Sequence, residues 1–452
     1  MQKYDGSNRS RILFILISIL IIDLISFTCI LPLFPTILDG YAKAVPKDAL
    51  YSKFVESVQS LEAAIGVPKL ERYSNVFFGG VLGSLFSFLQ YLSSPILGSL
   101  SDVYGRKPIL FIATLGSLFS YYVWSISDTF AIFLVSRVIG GFSKASVSIA
   151  TAVVSDLCTI DQRGRGMAFV GVAFSVAFIL GPMIGAYFSV NSARFGADAL
   201  FNAPRFAMAL TILELILIWG LLPETADKSK PKQSIFTAAY DYISPISLLN
   251  FKILQKSLPK QSLDKIQAYG RVYFIYLFIY SGLEFTLSFY THIMFKYDGM
   301  QQGRMYFVAG ILMILTQGGY ARRISTGKHH KSAFAGVLLL VPAYVIISLA
   351  TSQWQFYIGL CLYALASAIV VPCLTTLVSQ LSPEAEKGAT MGVFRSLGAL
   401  SRAAGPVFGS LTFWLVGPQA CYIFGAMLFA IPLVMLRRVS LVDESKPVKK
   451  VD

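Results

Sequence analysis

The chain has little charge, no metal-ligand spacing among its cysteines and no phosphate-cradling loop. Only 14% of its 452 residues are Asp, Glu, Lys or Arg, where soluble domains carry roughly 25%. Its five cysteines (Cys29, Cys158, Cys361, Cys373 and Cys421) lie in or beside apolar runs. That placement argues against a zinc site and against a disulfide framework. No G-x-x-x-x-G-K-[ST] loop is present, which argues against ATP-driven chemistry. No nucleophile–base pair or metal cluster stands out, so an enzyme is the least favoured class and no cofactor is expected. The first apolar run lacks a small-residue cleavage site and reads as a retained signal-anchor. Asn75, Asn191 and Asn202 lack the N-x-[ST] pattern, so these loops give no glycosylation clue to the compartment.

What is present in excess is apolar. Hydrophobic residues make up 55% and mean hydropathy is +0.64. The material comes in runs of roughly 20 residues, the length that crosses a hydrocarbon core of about 30 Å. The 35 Phe and 23 Tyr suit lipid-facing surface and interfacial belts. Twelve spans are expected, at 11–38, 74–100, 108–127, 130–157, 164–189, 204–222, 270–294, 301–321, 332–350, 353–381, 384–416 and 418–437. The predicted organisation is a six-helix bundle over 1–222, a Lys-rich cytoplasmic linker over 223–269, a second bundle over 270–438 and a tail over 439–452.

The net charge of +14 would suggest nucleic acid in a soluble protein. Here the positive-inside rule accounts for it. With the N-terminus in the cytoplasm, about 25 Lys and Arg fall on cytoplasmic segments and about 9 on the other side. Both termini are therefore expected in the cytoplasm, and the membrane itself is not identified. Lys446, Lys449 and Lys450 of the tail either touch anionic lipid or satisfy the same bias. Residues 49–66 carry Leu50, Phe54, Val58, Leu61 and Ile65 at helical spacing, ended by Gly66 and Pro68. This predicts an amphipathic helix that lies on the membrane face or caps the protein, the former being favoured. Ser244-Pro245 predicts a helix start in the linker.

The halves echo each other. Gly164, Met167, Gly181, Pro182 and Gly185 match Gly388, Met391, Gly405, Pro406 and Gly409 at one constant offset. Duplicated halves around a midplane site are a transporter architecture. Each G-P-x-x-G is expected to kink its span and let helices approach.

Between the second and third spans stand Gly98, Leu100, Asp102, Gly105, Arg106 and Lys107. With Leu134, Arg137, Gly140 and Gly141 in span four, Gly181, Pro182 and Gly185 in span five, and Pro223-Glu224-Thr225 after span six, this pattern resembles the major facilitator superfamily. The resemblance implies an all-α membrane protein of twelve helices in two pseudo-symmetric bundles, working by alternating access. It implies that helices one, four, seven and ten line a cavity with helix eleven beside them. It also implies a conformational latch at Gly98, Asp102, Gly105, Arg106 and Lys107, in which Asp102 meets Arg106 or the start of helix eleven after Ser382-Pro383-Glu384. Three segments, Glu71–Val76, Ser281–Phe289 and Arg395–Pro406, resemble a subgroup associated with organic anions, which implies that substrate class.

Seven ionisable residues fall inside spans: Asp23, Arg137, Lys144, Glu214, Glu284, Arg395 and Arg402. A charge at bilayer depth needs a cavity or a partner. Arg137 and Lys144, and likewise Arg395 and Arg402, are two helical turns apart and so share a face. Four cations against Asp23 and Glu284 favour an anion, which an Arg fork grips by two oxygens. The candidate substrate residues are Lys144, Arg395, Arg402, Arg137, Gln90, Gln317 and Tyr280, with Phe142, Phe174 and Phe394 as apolar lining. For Arg137 the favoured alternative is a structural pair with Asp23. Gln90 and Gln317 serve a ligand or another helix equally well. Asp23 and Glu284 either carry a coupled proton or balance charge. Glu214 reads as a buried pair member without assigned role, and His292 as interfacial. The function expected is carriage of a small amphipathic organic anion by a monomer in lipid, with protons as a further partner. A proton-coupled exporter of cationic or neutral drugs and a non-transporting scaffold or receptor are the alternatives.

Overall fold

The computed structural model describes residues 6–43, 48–65, 71–158, 160–195, 201–226, 243–255, 258–325, 327–383 and 387–444. Every regular element among them is helical. The N-terminal half holds α1 (Gly6–Thr28), α2 (Phe34–Lys43), α3 (Ala49–Ile65), α4 (Glu71–Tyr104), α5 (Arg106–Ser125), α6 (Phe130–Ser143), α7 (Ser146–Leu157), α8 (Ile160–Phe195) and α9 (Asn202–Leu221). A short α10 (Pro245–Leu249) precedes the C-terminal half. That half holds α11 (Lys260–Phe295), α12 (Gly299–Gly319), α13 (His329–Leu349), α14 (Gln353–Leu381), α15 (Lys387–Val416), α16 (Pro418–Leu428) and α17 (Ala430–Glu444).

Ten segments of the described residues are long and apolar enough to cross a membrane. The two remaining long helices, α12 and α15, bring the long helical segments of each half to six, consistent with the twelve spans expected. Their composition explains why they are less apolar. α12 carries Gln301, Gln302, Arg304 and Gln317, and α15 carries Arg395 and Arg402. These two helices pack on the opposite half, α12 on α8 and α15 on α4. A face turned away from lipid tolerates polar groups that a lipid-facing one would not.

The halves close on each other at the end of the bundle remote from the 98–108 turn. There Phe77 of α4 stacks on Trp414 of α15 at 5.5 Å. The Val407 amide donates to Ser84 Oγ at 3.0 Å. Phe34 meets Phe285 edge-on at 6.0 Å, and Asp39 faces His292 at 3.5 Å.

Within each half the repeated G-P-x-x-G motif makes the same contact. α8 presses on the end of α1: Thr28 Oγ1 donates to the Ala177 carbonyl at 2.9 Å, and a Cβ on Gly185 would meet Pro32 Cγ at 2.9 Å. α15 presses on α11: Ser281 Oγ donates to the Ser401 carbonyl at 3.4 Å, and a Cβ on Gly405 would meet the Phe278 carbonyl at 2.6 Å. Ala177 and Ser401 themselves stand at the motif offset. Pro182 and Pro406 lie inside continuous helices. Without hydrophobic drive between helices in lipid, close backbone approach at small residues is what holds them.

Three expectations change. α3 packs onto helices instead of lying on a membrane face. Tyr51 and Phe54 both contact Phe78 and Phe130 at ring separations of 5.5–6.1 Å. The aromatic stripe that suggested a lipid face finds an aromatic groove. The seventh crossing begins at Lys260, so residues 260–269 of the expected linker are helical. The fourth crossing is two helices, α6 and α7, parted at Lys144 and Ala145. In the linker, Ser244 caps α10, accepting from the Ser247 amide at 3.4 Å. Phe251 and Leu254 behind it are fully buried, with Phe251 set under Gly270. Residues 227–242, Glu384 and the basic tail lie outside the described residues.

The glycine contact generates a test. A Cβ on Gly409 would stand 2.6 Å from the Gly282 carbonyl carbon, against backbone that cannot rotate away. Gly409→Ala should destabilise by about 1–3 kcal/mol, the usual overpacking penalty, read as a lower thermal unfolding midpoint in detergent. Gly171→Ala, which meets nothing within 4 Å, should not lower it. Equal midpoints for the two variants would refute the contact.

Candidate functional site

The charges inside the membrane form two clusters, one in each half. The first sits where the fourth crossing breaks. Lys144 leaves helical geometry (φ −81°, ψ 78°) and α7 restarts at Ser146. A break at bilayer depth frees backbone carbonyls that must find donors. Ser93 Oγ of α4 donates to the Gly141 carbonyl at 3.2 Å, and Ser94 Oγ to the Lys144 carbonyl at 3.3 Å. The break aims Lys144 Nζ at Asp23 of α1. It donates to Oδ1 at 2.5 Å and to the Asp23 carbonyl at 3.3 Å, and it lies 5.1 Å from the Phe27 ring centroid. Ser146 Oγ, at the start of α7, donates to the other carboxylate oxygen. A carboxylate at a helix N-terminus also gains from the helix dipole. Asp23 and Lys144 are each 4% exposed.

This corrects the expected Asp23–Arg137 pair. The break at Lys144 takes it off the regular helical face it would share with Arg137. Arg137 instead lies among rings, its guanidinium carbon 4.8 Å from Trp124, 5.4 Å from Phe133 and 6.0 Å from Phe86. Its Nε reaches Ser136 Oγ at 3.3 Å, while Nη2 has no hydrogen-bond partner among the described residues. A guanidinium is weakly hydrated and stacks on aromatic faces, so Arg tolerates this box where Lys would not.

The second cluster lies on α11, α14 and α15. The Tyr280 and Tyr363 hydroxyls are 2.6 Å apart and stand 3.2 and 3.3 Å from Glu284 Oε1. Their rings stack within 5° of parallel. Tyr273 stacks on Phe394 at 3.9 Å, and Arg395 and Arg402 both lie close enough to Tyr273 to act on it electrostatically. Arg402 acts on Glu284 in the same way, is exposed, and has no carboxylate within ion-pair distance among the described residues. Phe394 is buried, Phe174 half-buried and Phe142 exposed. Gln317 accepts from Ser175 Oγ at 3.0 Å, joining α12 to α8 across the halves. Gln90 is half-buried on α4.

At the 98–108 turn, Arg106 collects its own half. It pairs with Asp102 at 2.5 Å and Asp156 of α7 at 2.9 Å, and donates to Ser101 Oγ at 2.7 Å. Asp102 is 62% exposed, so in this conformation it faces solvent and its ion pair stays within the turn. Gly105 takes a positive φ of 111°, and a Cβ there would run into Glu224. The Glu224 carboxylate caps α5, accepting from the Arg106 amide at 2.8 Å and the Lys107 amide at 3.2 Å. This capping role was not assigned from sequence. The signal was present, since a carboxylate eases the orphan amides of a helix start that has no capping side chain of its own. Lys107 Nζ donates to the Trp219 carbonyl at 2.7 Å.

A family model described as Major Facilitator Superfamily matches residues 16–406 and 318–451. The "Major facilitator superfamily domain-containing protein 10" of Bos taurus is 41% identical, covering 97% of this chain and 95% of that protein. The "Tetracycline resistance protein, class D" of Salmonella ordonez is 27% identical, covering 75% of this chain and 83% of that protein. The crystal structure of the human organic anion transporter MFSD10 (TETRAN) superposes with a TM-score of 0.79 at 41% identity, covering 95% of this chain and 99% of that one.

Removing one member of a buried ion pair leaves the other uncompensated, at about 3–5 kcal/mol, whereas removing both can be near neutral. Asp23→Asn and Lys144→Met should each lower the unfolding midpoint strongly. The double variant should recover most of the loss. Additive losses in this cycle would show that the two side chains do not support each other.

Proposed function

The chain belongs to the major facilitator superfamily and is a multi-pass membrane transporter, and from that premise we propose that it carries small amphipathic organic anions by alternating access. The observation that carries this reading is Arg402, an exposed cation on α15 with no ion-pair partner among the described residues, near Arg395, Tyr273 and Glu284. An arginine left open beside stacked aromatics offers a fork for a carboxylate or sulfonate and a flat face for an apolar body. Lys144 has its donors engaged by Asp23, so the anion falls first to Arg402 and Arg395. Arg137 contributes through its free Nη2 when the halves rearrange, and Gln90 and Tyr280 supply neutral hydrogen bonds. The description of the human relative as an organic anion transporter supports the same substrate class.

The conformation is read as open toward the turn end. The Lys and Arg excess on that side supports a cytoplasmic turn, linker and termini. Rocking would part Phe77 from Trp414 and bring Asp102 toward the start of α15, closing the latch that stands undone here. Glu284, bridged to two tyrosine hydroxyls, is the group best placed in the C-terminal half to trade a proton against substrate. The likeness to a tetracycline resistance protein favours a second reading, a drug exporter in which Asp23 and Glu284 meet the substrate.

Purified protein in liposomes should take up a labelled amphipathic organic anion. Arg402→Ala should slow uptake about tenfold to a hundredfold, the worth of a charge-assisted hydrogen bond. An imposed pH gradient should accelerate wild type and leave Glu284→Gln unaffected. Uptake of a labelled organic cation but not of the anion, insensitive to Arg402→Ala, would replace this reading with the second.

A further inference from the structure

α9 carries a carboxylate that the transport site does not use. Glu214 is 1% exposed. Thr114 Oγ1 of α5 donates to its Oε1 at 3.2 Å, and Oε2 has no hydrogen-bond partner among the described residues. An ionised carboxylate offers about four lone-pair positions. Here one is met, and by a neutral donor.

The charged and titratable groups near enough to act on Glu214 are Asp23 of α1, Lys144 at the α6–α7 break and Tyr121 of α5. Asp23 repels a second negative charge. Lys144 is already held by the Asp23 carboxylate, the Asp23 carbonyl and the Phe27 ring. No cation among the described residues lies within ion-pair distance of Glu214. The ion would leave a whole charge unmet at bilayer depth, while the acid leaves one hydroxyl unmet.

We propose that Glu214 is a proton-binding site of the N-terminal half, occupied in this conformation, distinct from the Asp23–Lys144 pair. Glu214 stands as a carboxylic acid. When it releases its proton to water it becomes a carboxylate, and the half gains one negative charge that Lys144, the cation near enough to act on it, would have to serve. That release rests on the transport reading above; the occupied proton site does not.

Infrared difference spectroscopy on the full chain in lipid vesicles, in H2O and D2O at neutral pH, tests the site without any substrate. One carboxylic-acid C=O band that shifts down in D2O should be present in wild type, persist in both Asp23→Asn and Glu284→Gln, and vanish in Glu214→Gln. Thr114→Val, which removes the donor to Oε1, should move that band to higher frequency, and it keeps the proposal open to refutation if Glu214→Gln does not fold. Loss of carboxylate bands in Glu214→Gln, with the acid region unchanged, would overturn the proposal. So would a Thr114→Val spectrum identical to wild type in the acid region. Failure of anion uptake would leave these spectra as they are.

Discussion

The N-terminal half is organised around one ion pair. Asp23 and Lys144 bind each other where neither can reach bulk water, and the geometry of the surrounding helices follows from keeping that bond. The fourth crossing gives up regular helix at Lys144 so that the ammonium can point at α1. Two serines of α4 then cover the carbonyls that the break exposes, and Ser146 fills the second oxygen of Asp23. A lysine on an unbroken helix would have kept its ladder bonds but left its charge without this partner. Ionic satisfaction therefore overrides helical regularity at this depth. It also separates the halves chemically. Lys144 in the N-terminal half is held by a carboxylate, whereas Arg402 in the C-terminal half has none within ion-pair distance among the described residues and stands open near Glu284.

The second constraint is small-residue packing, made twice. Gly185 on Cys29 and Pro32, and Gly405 on Phe278, let α8 and α15 lie against α1 and α11 at backbone distance. The hydroxyls of Thr28 and Ser281 tie the same helices together. Between the halves, Ser84 on Val407 and Phe77 on Trp414 tie α4 to α15, and Ser175 on Gln317 ties α8 to α12. Small residues serve here too: a Cβ on Gly80 of α4 would run into Ser410 of α15, and one on Gly310 of α12 into Ile179 of α8, so the same packing device holds each bundle and the seam between them.

Much of this was legible in the sequence because lipid imposes simple rules. Run length placed the spans, and the offset between the two G-P-x-x-G motifs exposed the duplication. The resemblance carried by Gly98, Asp102, Gly105 and Arg106 placed the turn. The charged residues were found by their cost, yet their partners were not. Burial and opposite charge pair Arg137 with Asp23 on sequence grounds, but three rings take the guanidinium, Phe133 one turn before it and Trp124 and Phe86 on other helices, and a helix break with no proline marks the true partner of Asp23. Glu224 was seen as part of a motif and not as the cap of α5, because its target amides lie more than a hundred residues earlier. α3 was placed on lipid because amphipathic spacing says that one face is apolar and not what covers it. Phe78 and Phe130, the covering rings, come from two separate crossings.

The segment between the first two crossings has one further property. Asp48 accepts from the Leu50 and Tyr51 amides at the start of α3 through one carboxylate oxygen, and from the Phe130 amide at the start of α6 through the other. A single side chain thus terminates two helices that belong to different parts of the chain. The insert cannot swing on its own without uncapping the fourth crossing, so it is bolted to the N-terminal bundle. A spectroscopic label on α3 would report the attitude of that entire bundle, and an antibody gripping it would act as a handle on the transport cycle.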